Sequence, residues 1–380
     1  MTAARDDIAR CRAWIGLAGV KRITEDVEGV LADLDSAQAV ADRLGLAEEA
    51  SQAHYLRGNL LFPRGDVEGC LREHEQALEL ARKAGSAELE AAALGGLGDV
   101  EYLRGRFHTA CDLFTECVKI SRAHGFGRIE VANLPMIGFT AEWSGDCDRA
   151  SDVALEAVEA AQKVGNLRGQ IIAHELPGIC HRERGDLVGA RRHSELSLEL
   201  ARQLGARRFE SVDLRDLGYR DYLEGKHREA LAKARASLAM AREDDMRFLG
   251  PASLGLMMLV TDDATEREHA GAEAEVLLAA GVVSHNHMYF RSLAIEASLD
   301  NCDYEEAERY ATALADFCAE DGLGLIEFIA GRGIALARAG RGETSTKLTA
   351  EIDRLIAEGE RMQQAVMLSK LRAARETMDA

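Results

Sequence analysis

Residues 86–125, SAELEAAALGGLGDVEYLRGRFHTACDLFTECVKISRAHG, contain three glycines that recur through the chain at a fixed spacing of 40 residues. The first series is Gly58, Gly98, Gly138, Gly178 and Gly218. The second, seven residues further on, is Gly65, Gly105, Gly145, Gly185 and Gly225. The third is Gly45, Gly85, Gly125, Gly165 and Gly205. Three series in one frame indicate an internal repeat, and a period of this length is typical of a solenoid of stacked helices.

The quoted stretch predicts two antiparallel helices joined by a tight turn. The first helix ends at Gly105, because glycine adopts the left-handed conformation without steric cost. Within that helix Gly98 has no side chain, so a neighbouring helix can approach closely. The second helix has apolar residues at helical spacing, ends at Gly125 and extends for about 18 residues, or roughly 27 Å. Aspartates after the turn glycine are expected to cap second helices: Asp66, Asp146 and Asp186.

The repeat frame predicts one all-α, right-handed superhelical solenoid over residues 1–380, with about nine antiparallel helix pairs. Regular repeats of ~40 residues cover 6–245, less regular pairs cover 246–360, and a polar C-terminal capping helix covers 361–380. In the less regular part, Cys302 takes the turn position. The frame returns again at Gly333 and Gly340, which are seven residues apart like the members of the first two series.

A glycine, a turn glycine seven residues on and a small residue five further resemble the tetratricopeptide (TPR) pattern, as in Gly98, Gly105 and Ala110. The usual early tryptophan and the proline at the repeat end are missing. HEAT and armadillo arrays also have periods near 40 residues, but the glycine pair favours TPR.

Several segments resemble the C-terminal TPR region of bacterial class III adenylate/guanylate cyclase-like proteins with AAA-type ATPase domains. They are HYLRGNLLFPRGD, RAHGFGRIEVANLPMIG, GARRFE, LVTDD and LLAAGVVSHNH. In that family a cyclase domain and an ATPase domain precede the repeats, and neither is present in these 380 residues. The resemblance therefore implies a regulatory region without its catalytic domains. It leaves open whether the chain is a stand-alone protein or part of a larger one.

Charge and cysteine content narrow the classes of partner and compartment. The net charge of −19 disfavours nucleic acids and anionic membranes, and indicates solubility or a cationic partner. None of the eight cysteines forms a C-x-x-C pair, and small buried cysteines suit a reducing cytoplasm. No apolar run approaches the ~20 residues of a membrane span, and the N-terminus does not resemble a signal peptide.

The sequence contains no strong catalytic, metal or cofactor motif. A phosphate-binding G-x-x-x-x-G-K-[ST] loop and a G-x-S-x-G elbow are absent. His174-Glu175 begins like H-E-x-x-H, but the next histidine, His181, has the wrong spacing. His285 and His287 start a predicted helix and should point apart. We therefore expect no cofactor, no metal and no enzymatic activity.

A partner-binding surface is the alternative that the repeat pattern favours, because first helices line the concave side of TPR arrays. The outward positions predicted there are Tyr55, Asn59, Phe62, Asp99, Tyr102, Asn133, Phe139, Glu142, Glu175, Arg182, Arg215, Tyr219 and Tyr222. Aromatic side chains beside charges suit recognition of a peptide or helix. The competing interpretation is that many of them pack between repeats.

Pro135 and Pro177 fall inside first helices of adjacent middle repeats, where they should kink the helix or form a ligand pocket flanked by Asn133 and His174. Our leading hypothesis is a cytoplasmic, non-catalytic TPR scaffold of bacterial signal transduction that binds a protein or peptide. The alternative is a sensor of a small signal molecule near the two prolines. The oligomeric state and the identity of the partner are left open by the sequence.

Overall fold

The computed structural model describes residues 2–22, 26–244 and 246–378, and every regular element in these ranges is helical. The α-helices are α1 (Thr2–Lys21), α2 (Val27–Leu44), α3 (Ala47–Leu61), α4 (Val67–Ala84), α5 (Ala87–Leu103), α6 (Phe107–His124), α7 (Gly127–Trp143), α8 (Cys147–Val164), α9 (Leu167–Glu183), α10 (Leu187–Leu204), α11 (Arg207–Leu223), α12 (His227–Glu243), α13 (Met246–Val260), α14 (Ala264–Ala280), α15 (His285–Asp300), α16 (Tyr304–Cys318), α17 (Gly324–Gly340), α18 (Thr346–Arg361) and α19 (Ala365–Met378).

The described helices form nine antiparallel pairs, from α1–α2 to α17–α18, followed by α19. The chain divides into two compact units, unit 1 (Met1–Met136) and unit 2 (Ile137–Ala380). Each unit is a stack of helix pairs, so the predicted all-α, TPR-like solenoid class is confirmed. The domain boundaries at residues 245 and 360 stay a prediction. No helix of the described residues is long and apolar enough to cross a membrane.

Turns between helices have the geometry that the glycine series predict. Gly105 has a φ of 75° and Gly125 a φ of 76°, which is the left-handed conformation. The second helices α4, α6, α8 and α10 have 18 residues each. Aspartates cap three of them: the side chains of Asp66, Asp146 and Asp186 accept hydrogen bonds from the backbone three residues later.

Glycines of the first series lie where helices touch. A Cβ atom on Gly98 would lie 2.6 Å from the Cε1 atom of Phe114, whose side chain is fully buried. At Gly58 a Cβ atom would overlap the ring of His74, which is also fully buried. Close packing between first and second helices of a pair therefore depends on these positions having no side chain.

The end of the chain departs from the predicted frame in two places. Gly340 is helical, and the left-handed turn glycine is Gly342, with a φ of 84°. A Cβ atom on Gly340 would instead overlap the ring of Tyr304, so this glycine serves helix packing. The last helix begins at Ala365, since Gln363 adopts a left-handed φ of 56° and ends the preceding helix. Cys302 does take a turn position, with a φ of 58°.

Three proline residues lie inside helices, and the helices continue through them. Pro135 is in α7, Pro177 in α9 and Pro251 in α13. A local kink at the first two stays a prediction.

Substitution of Gly98 by alanine tests the close approach in unit 1. We expect Gly98→Ala to destabilise the protein by about 1–3 kcal/mol, because the methyl group would overlap a buried ring. Gly16 in α1 is the matched control, since a Cβ atom there meets nothing within 4 Å. Gly16→Ala should be neutral or stabilise by up to about 1 kcal/mol through helix propensity. Urea unfolding followed by circular dichroism measures both changes, and equal effects of the same sign would contradict the packing account.

Candidate binding surface

The thirteen residues predicted for partner binding divide between the two units, and each unit is considered separately. Unit 1 contains Tyr55, Asn59, Phe62, Asp99, Tyr102 and Asn133. Unit 2 contains Phe139, Glu142, Glu175, Arg182, Arg215, Tyr219 and Tyr222. Seven of the thirteen are half-buried. The six buried residues are Tyr102, Asn133, Phe139, Glu142, Arg182 and Arg215.

In unit 1 several of the predicted residues contribute to packing. Tyr102 is only 6% exposed and contacts the Phe107 ring edge-on at a centroid distance of 5.0 Å. Tyr55 lies with its ring centroid 5.8 Å from that of His74. The Asn133 side chain donates a hydrogen bond of 2.8 Å to the carbonyl oxygen of Ile129 in its own helix. These contacts agree with the interpretation that part of the predicted surface packs between repeats.

In unit 2 the first helices bring charged and aromatic side chains together. The Arg182 guanidinium donates two hydrogen bonds to Glu183, at 2.8 and 2.5 Å, and lies 5.1 Å above the ring centroid of Tyr219. Arg215 makes the corresponding pair with Asp216, at 3.1 and 2.9 Å. In each pair the arginine and the carboxylate are adjacent residues of one helix. The Tyr219 ring lies on α11, the next first helix after α9, which carries Arg182.

The cluster continues across unit 2 to helices far along the chain. Arg215 lies 4.8 Å from the ring centroid of Tyr289 in α15, and that ring contacts Trp143 of α7 at 5.1 Å. The Tyr219 ring stacks on Tyr222, whose hydroxyl donates to Asp300.

Helices α17 and α19 each contribute a cation to this group of charged and aromatic side chains. Arg332 of α17 is 1% exposed and donates to both Glu296 and the carbonyl oxygen of Met367. Lys370 of α19 donates to Glu296 at 2.8 Å and to Asp300. We call this set the first-helix cluster: Trp143, Arg182, Glu183, Arg215, Asp216, Tyr219, Tyr222, Tyr289, Glu296, Asp300, Arg332 and Lys370.

Charges in and around the cluster are unevenly compensated. Burial would raise the pKa of Glu296, but Arg332 and Lys370 outweigh it and lower that pKa to about 2. By contrast, burial and the neighbouring Glu183 raise the pKa of Glu142 to about 8. Burial and the Asp216 carboxylate likewise raise the pKa of Glu175 to about 8. Two carboxylates of unit 2 therefore lack sufficient cationic partners.

The turn between α18 and α19 contacts the helices α8 and α9 of unit 2. The Cys147 thiol donates to the carbonyl oxygen of Met362 at 2.8 Å. Arg184 donates to the Gln363 side chain at 2.5 Å, and Gln363 donates to Asp148 at 2.8 Å. The segment Met362–Gln364 thus joins the last repeat of unit 2 to the start of α8 and the end of α9.

Sequence reasoning missed Glu296, Arg332 and Lys370, and the repeat frame explains two of these omissions. Counted back from Cys302, Glu296 occupies the position that Tyr219 has before Gly225. Counted back from Gly342, Arg332 occupies the position of Arg215. The expectation that Gly340 was the turn residue displaced the frame by two positions and hid Arg332. Lys370 lies in α19, outside any repeat, and no repeat position signals it.

The histidines that the sequence singled out do not form a metal site. His174 lies with its Nδ1 atom 3.0 Å from Nδ1 of His193. His285 is within 3.2 Å of the Phe248 carbonyl oxygen, whereas His287 stacks on Phe317 at 4.1 Å. The last two therefore point apart. Among the residues that the structure describes, no group of three His, Cys, Asp or Glu side chains is placed to hold a metal ion.

Residues 49–123 match the family model described as "Tetratricopeptide repeat". The matched stretch is about a fifth of the chain and lies in unit 1, and the helix pairs of both units have a TPR-like fold. A comparison with curated proteins finds no match.

Several solved structures have a fold similar to that of this chain. A Rap protein complexed with competence and sporulation factor has 15% sequence identity and a TM-score of 0.62, over 84% of this chain and 99% of that chain. NprR in complex with its cognate peptide NprX has 17% identity and a TM-score of 0.59, over 92% of this chain and 98% of that chain.

A third structure of this fold is a signal transduction ATPase with numerous domains (STAND) and a tetratricopeptide repeat sensor, from Pyrococcus horikoshii. It has 14% identity and a TM-score of 0.52, over 97% of this chain and 55% of that chain. At these identities the likeness extends to the fold alone.

Stability should depend on pH through Glu142 and Glu175. Because their folded pKa is raised above the ordinary value of 4.5, their ionisation destabilises the fold as pH rises from about 4.5 to about 8. Glu142→Gln and Glu175→Gln remove this ionisation. We expect each variant to gain at least about 1 kcal/mol over the wild type between pH 6 and pH 8. Exposed Glu159 supplies the control Glu159→Gln. Urea unfolding at several pH values measures the gain, and parallel pH profiles for all proteins would contradict it.

Proposed function

We propose that this chain is a non-catalytic TPR scaffold that binds a protein or peptide segment at the first-helix cluster of unit 2. The observation that carries the proposal is the burial of ionisable and aromatic side chains on first helices, such as Arg182, Arg215 and Trp143. Apolar residues of similar size would stabilise such a position at least as well as buried ion pairs do. Clusters of buried groups with shifted pKa values also concentrate at functional sites.

The chemistry of the cluster favours a segment with both aromatic and charged side chains. Tyr219, Tyr222 and Tyr289 offer ring faces and edges, and Arg182 and Arg215 already lie over two of these rings. Large aromatic side chains and arginines are the residues that dominate binding energy at interfaces. The net charge of −19 adds a preference for a basic partner segment through long-range attraction.

Binding at this cluster requires an exchange of contacts. Lys370 of α19 already forms ion pairs with Glu296 and Asp300. A basic side chain of a partner could take its place with the same charge complementarity. The scaffold would then convert partner binding into release of α19, which gives a regulatory protein a second state.

The fold comparisons agree with a regulatory role. The Rap and NprR structures are complexes with a competence and sporulation factor and with a cognate peptide, and the STAND protein couples repeats of this kind to an ATPase. We propose that this chain acts in bacterial, cytoplasmic signalling, as a regulatory part of a cyclase- or ATPase-type system. A sensor of a small molecule is the second candidate, favoured by a small cleft in unit 2 beside Glu142.

A peptide library tests the proposal. Fluorescently labelled peptides that bind the purified chain should bind at least about tenfold more weakly to Tyr219→Ala and Tyr222→Ala, because both rings belong to the cluster. Leu155 in α8 is 62% exposed and supplies the control Leu155→Ala, which should bind as the wild type does. Anisotropy titrations give the affinities, and circular dichroism confirms that each variant is folded. Peptides whose affinity is unaffected by both tyrosine variants would refute this surface.

A further inference from the structure

A small cleft lies in unit 2 where the C-terminal turn meets the ends of α7, α8 and α9. It has an empty volume of about 240 Å³, which is partly open to solvent and has room for about one water-sized group. Its acidic and amide lining comes from Glu142, Glu183, Gln363 and Gln364, and the rest of the wall consists of Cys147, Ala150, Ser151, Cys180, Arg184 and Met362.

Two hydrogen-bond acceptors of this cleft have no partner. Glu142 is 5% exposed and Gln364 is 1% exposed. The Oε2 atom of Glu142 and the Oε1 atom of Gln364 are buried and accept no hydrogen bond within the protein. Leaving such atoms unsatisfied costs roughly 1–3 kcal/mol each, and more for a charged group. The Gln364 oxygen accepts, and so does the Glu142 oxygen once the carboxyl group is ionised, so a group that satisfies both must carry N–H or O–H donors.

The cations nearest the cleft are already engaged elsewhere. Arg182 is bound to Glu183 and lies over the Tyr219 ring. Arg184, which is exposed at the edge of the cleft, donates to Gln363 and to the Ser151 hydroxyl at 2.6 Å. The Glu142 carboxylate is therefore left without a hydrogen-bonded cation, although it lies in a wall that also contains Glu183.

Size and charge together select the ligand. A guanidinium group is planar and wide, whereas an ammonium group is compact and carries three donors. Of the two, the ammonium group is the one that fits a space for about one water-sized group.

We propose that this cleft binds a primary ammonium group, with Glu142 and Gln364 as acceptors of its N–H donors. The group could belong to a lysine side chain of a partner or to a free alkylamine. The site is separate from the aromatic part of the first-helix cluster and does not depend on peptide binding there.

The proposal implies a dependence on pH. Burial, and then Glu183, raise the pKa of Glu142 to about 8, so this carboxyl group must lose its proton when an ammonium group binds. Affinity should therefore increase from pH 6 to pH 8. The charged and titratable groups that face Glu142 from the packed elements are Cys147 of α8, Cys180, Arg182, Glu183 and Arg184 at the end of α9, and Asp216 of α11. Burial raises the pKa of the Cys147 thiol to about 11 and that of Cys180 to about 12, so both stay neutral in this range.

Thermal unfolding with small amines tests the site. The probes are methylammonium chloride and Nα-acetyl-lysine amide, and the controls at equal ionic strength are potassium chloride and the Nε-acetylated lysine derivative. We expect both amines, and neither control, to raise the unfolding temperature of the wild type and of Glu159→Gln. The apparent dissociation constant should be at least about tenfold weaker in Glu142→Gln, because the carboxylate is lost. Gln364→Leu removes the other acceptor and should also weaken binding, which keeps the test decisive if one variant fails to fold.

Each outcome has a stated meaning. Tighter binding of the lysine derivative than of methylammonium supports a partner lysine, and equal binding supports a free amine. No stabilisation of the wild type by either amine would overturn the proposal, as would an equal effect in Glu142→Gln or an equal effect of the acetylated derivative. Since the tyrosine variants of the peptide experiment leave this cleft intact, failure of one proposal is distinguishable from failure of the other.

Discussion

Contact between paired helices at positions without a side chain is the constraint on which the rest of this structure depends. Phe114 packs against Gly98 and His74 against Gly58, both with fully buried rings. Within unit 1 the same contact recurs after one repeat, so corresponding positions of α3 and α5 face the same side of that stack. The later positions can be compared by counting back from the turn residues. That comparison places Glu296 in the position of Tyr219, and Arg332 in the position of Arg215.

The helix pairs could be predicted because their signals are local. A glycine such as Gly105 ends one helix through its own backbone conformation, and Asp66 caps the next through a bond to the backbone three residues on. The repeat frame was harder to assign from the sequence where a glycine could serve either as a turn residue or as a contact between helices. Gly340 looked like a turn residue, but it lies in a helix and makes room for Tyr304. The two-residue error that followed concealed Arg332.

The candidate site could be predicted only in part, because its geometry depends on contacts distant in sequence. Cys147 and Met362 are 215 residues apart, and no periodicity links them. The sequence predicted a binding surface of charged and aromatic side chains on first helices, and that role stays a prediction. The sequence could not show that Arg182 and Arg215 would be buried, since the rings beside them, Tyr219 of α11 and Tyr289 of α15, come from other repeats. Peptide recognition and the ammonium site therefore stay proposals, whereas the fold is a finding.

The central claim is that the first-helix cluster is retained for binding and is not required for stability. The free energy of unfolding of the triple variant Glu296→Leu, Arg332→Met and Lys370→Met tests this claim most directly. Glu296 and both of its cationic partners are removed together, and Asp300, which loses Lys370, is exposed and keeps the hydrogen bond from Tyr222. The account predicts an unfolding free energy within about 1 kcal/mol of the wild type, or higher. A loss of more than about 3 kcal/mol would contradict it, because the network would then be needed to hold the fold together.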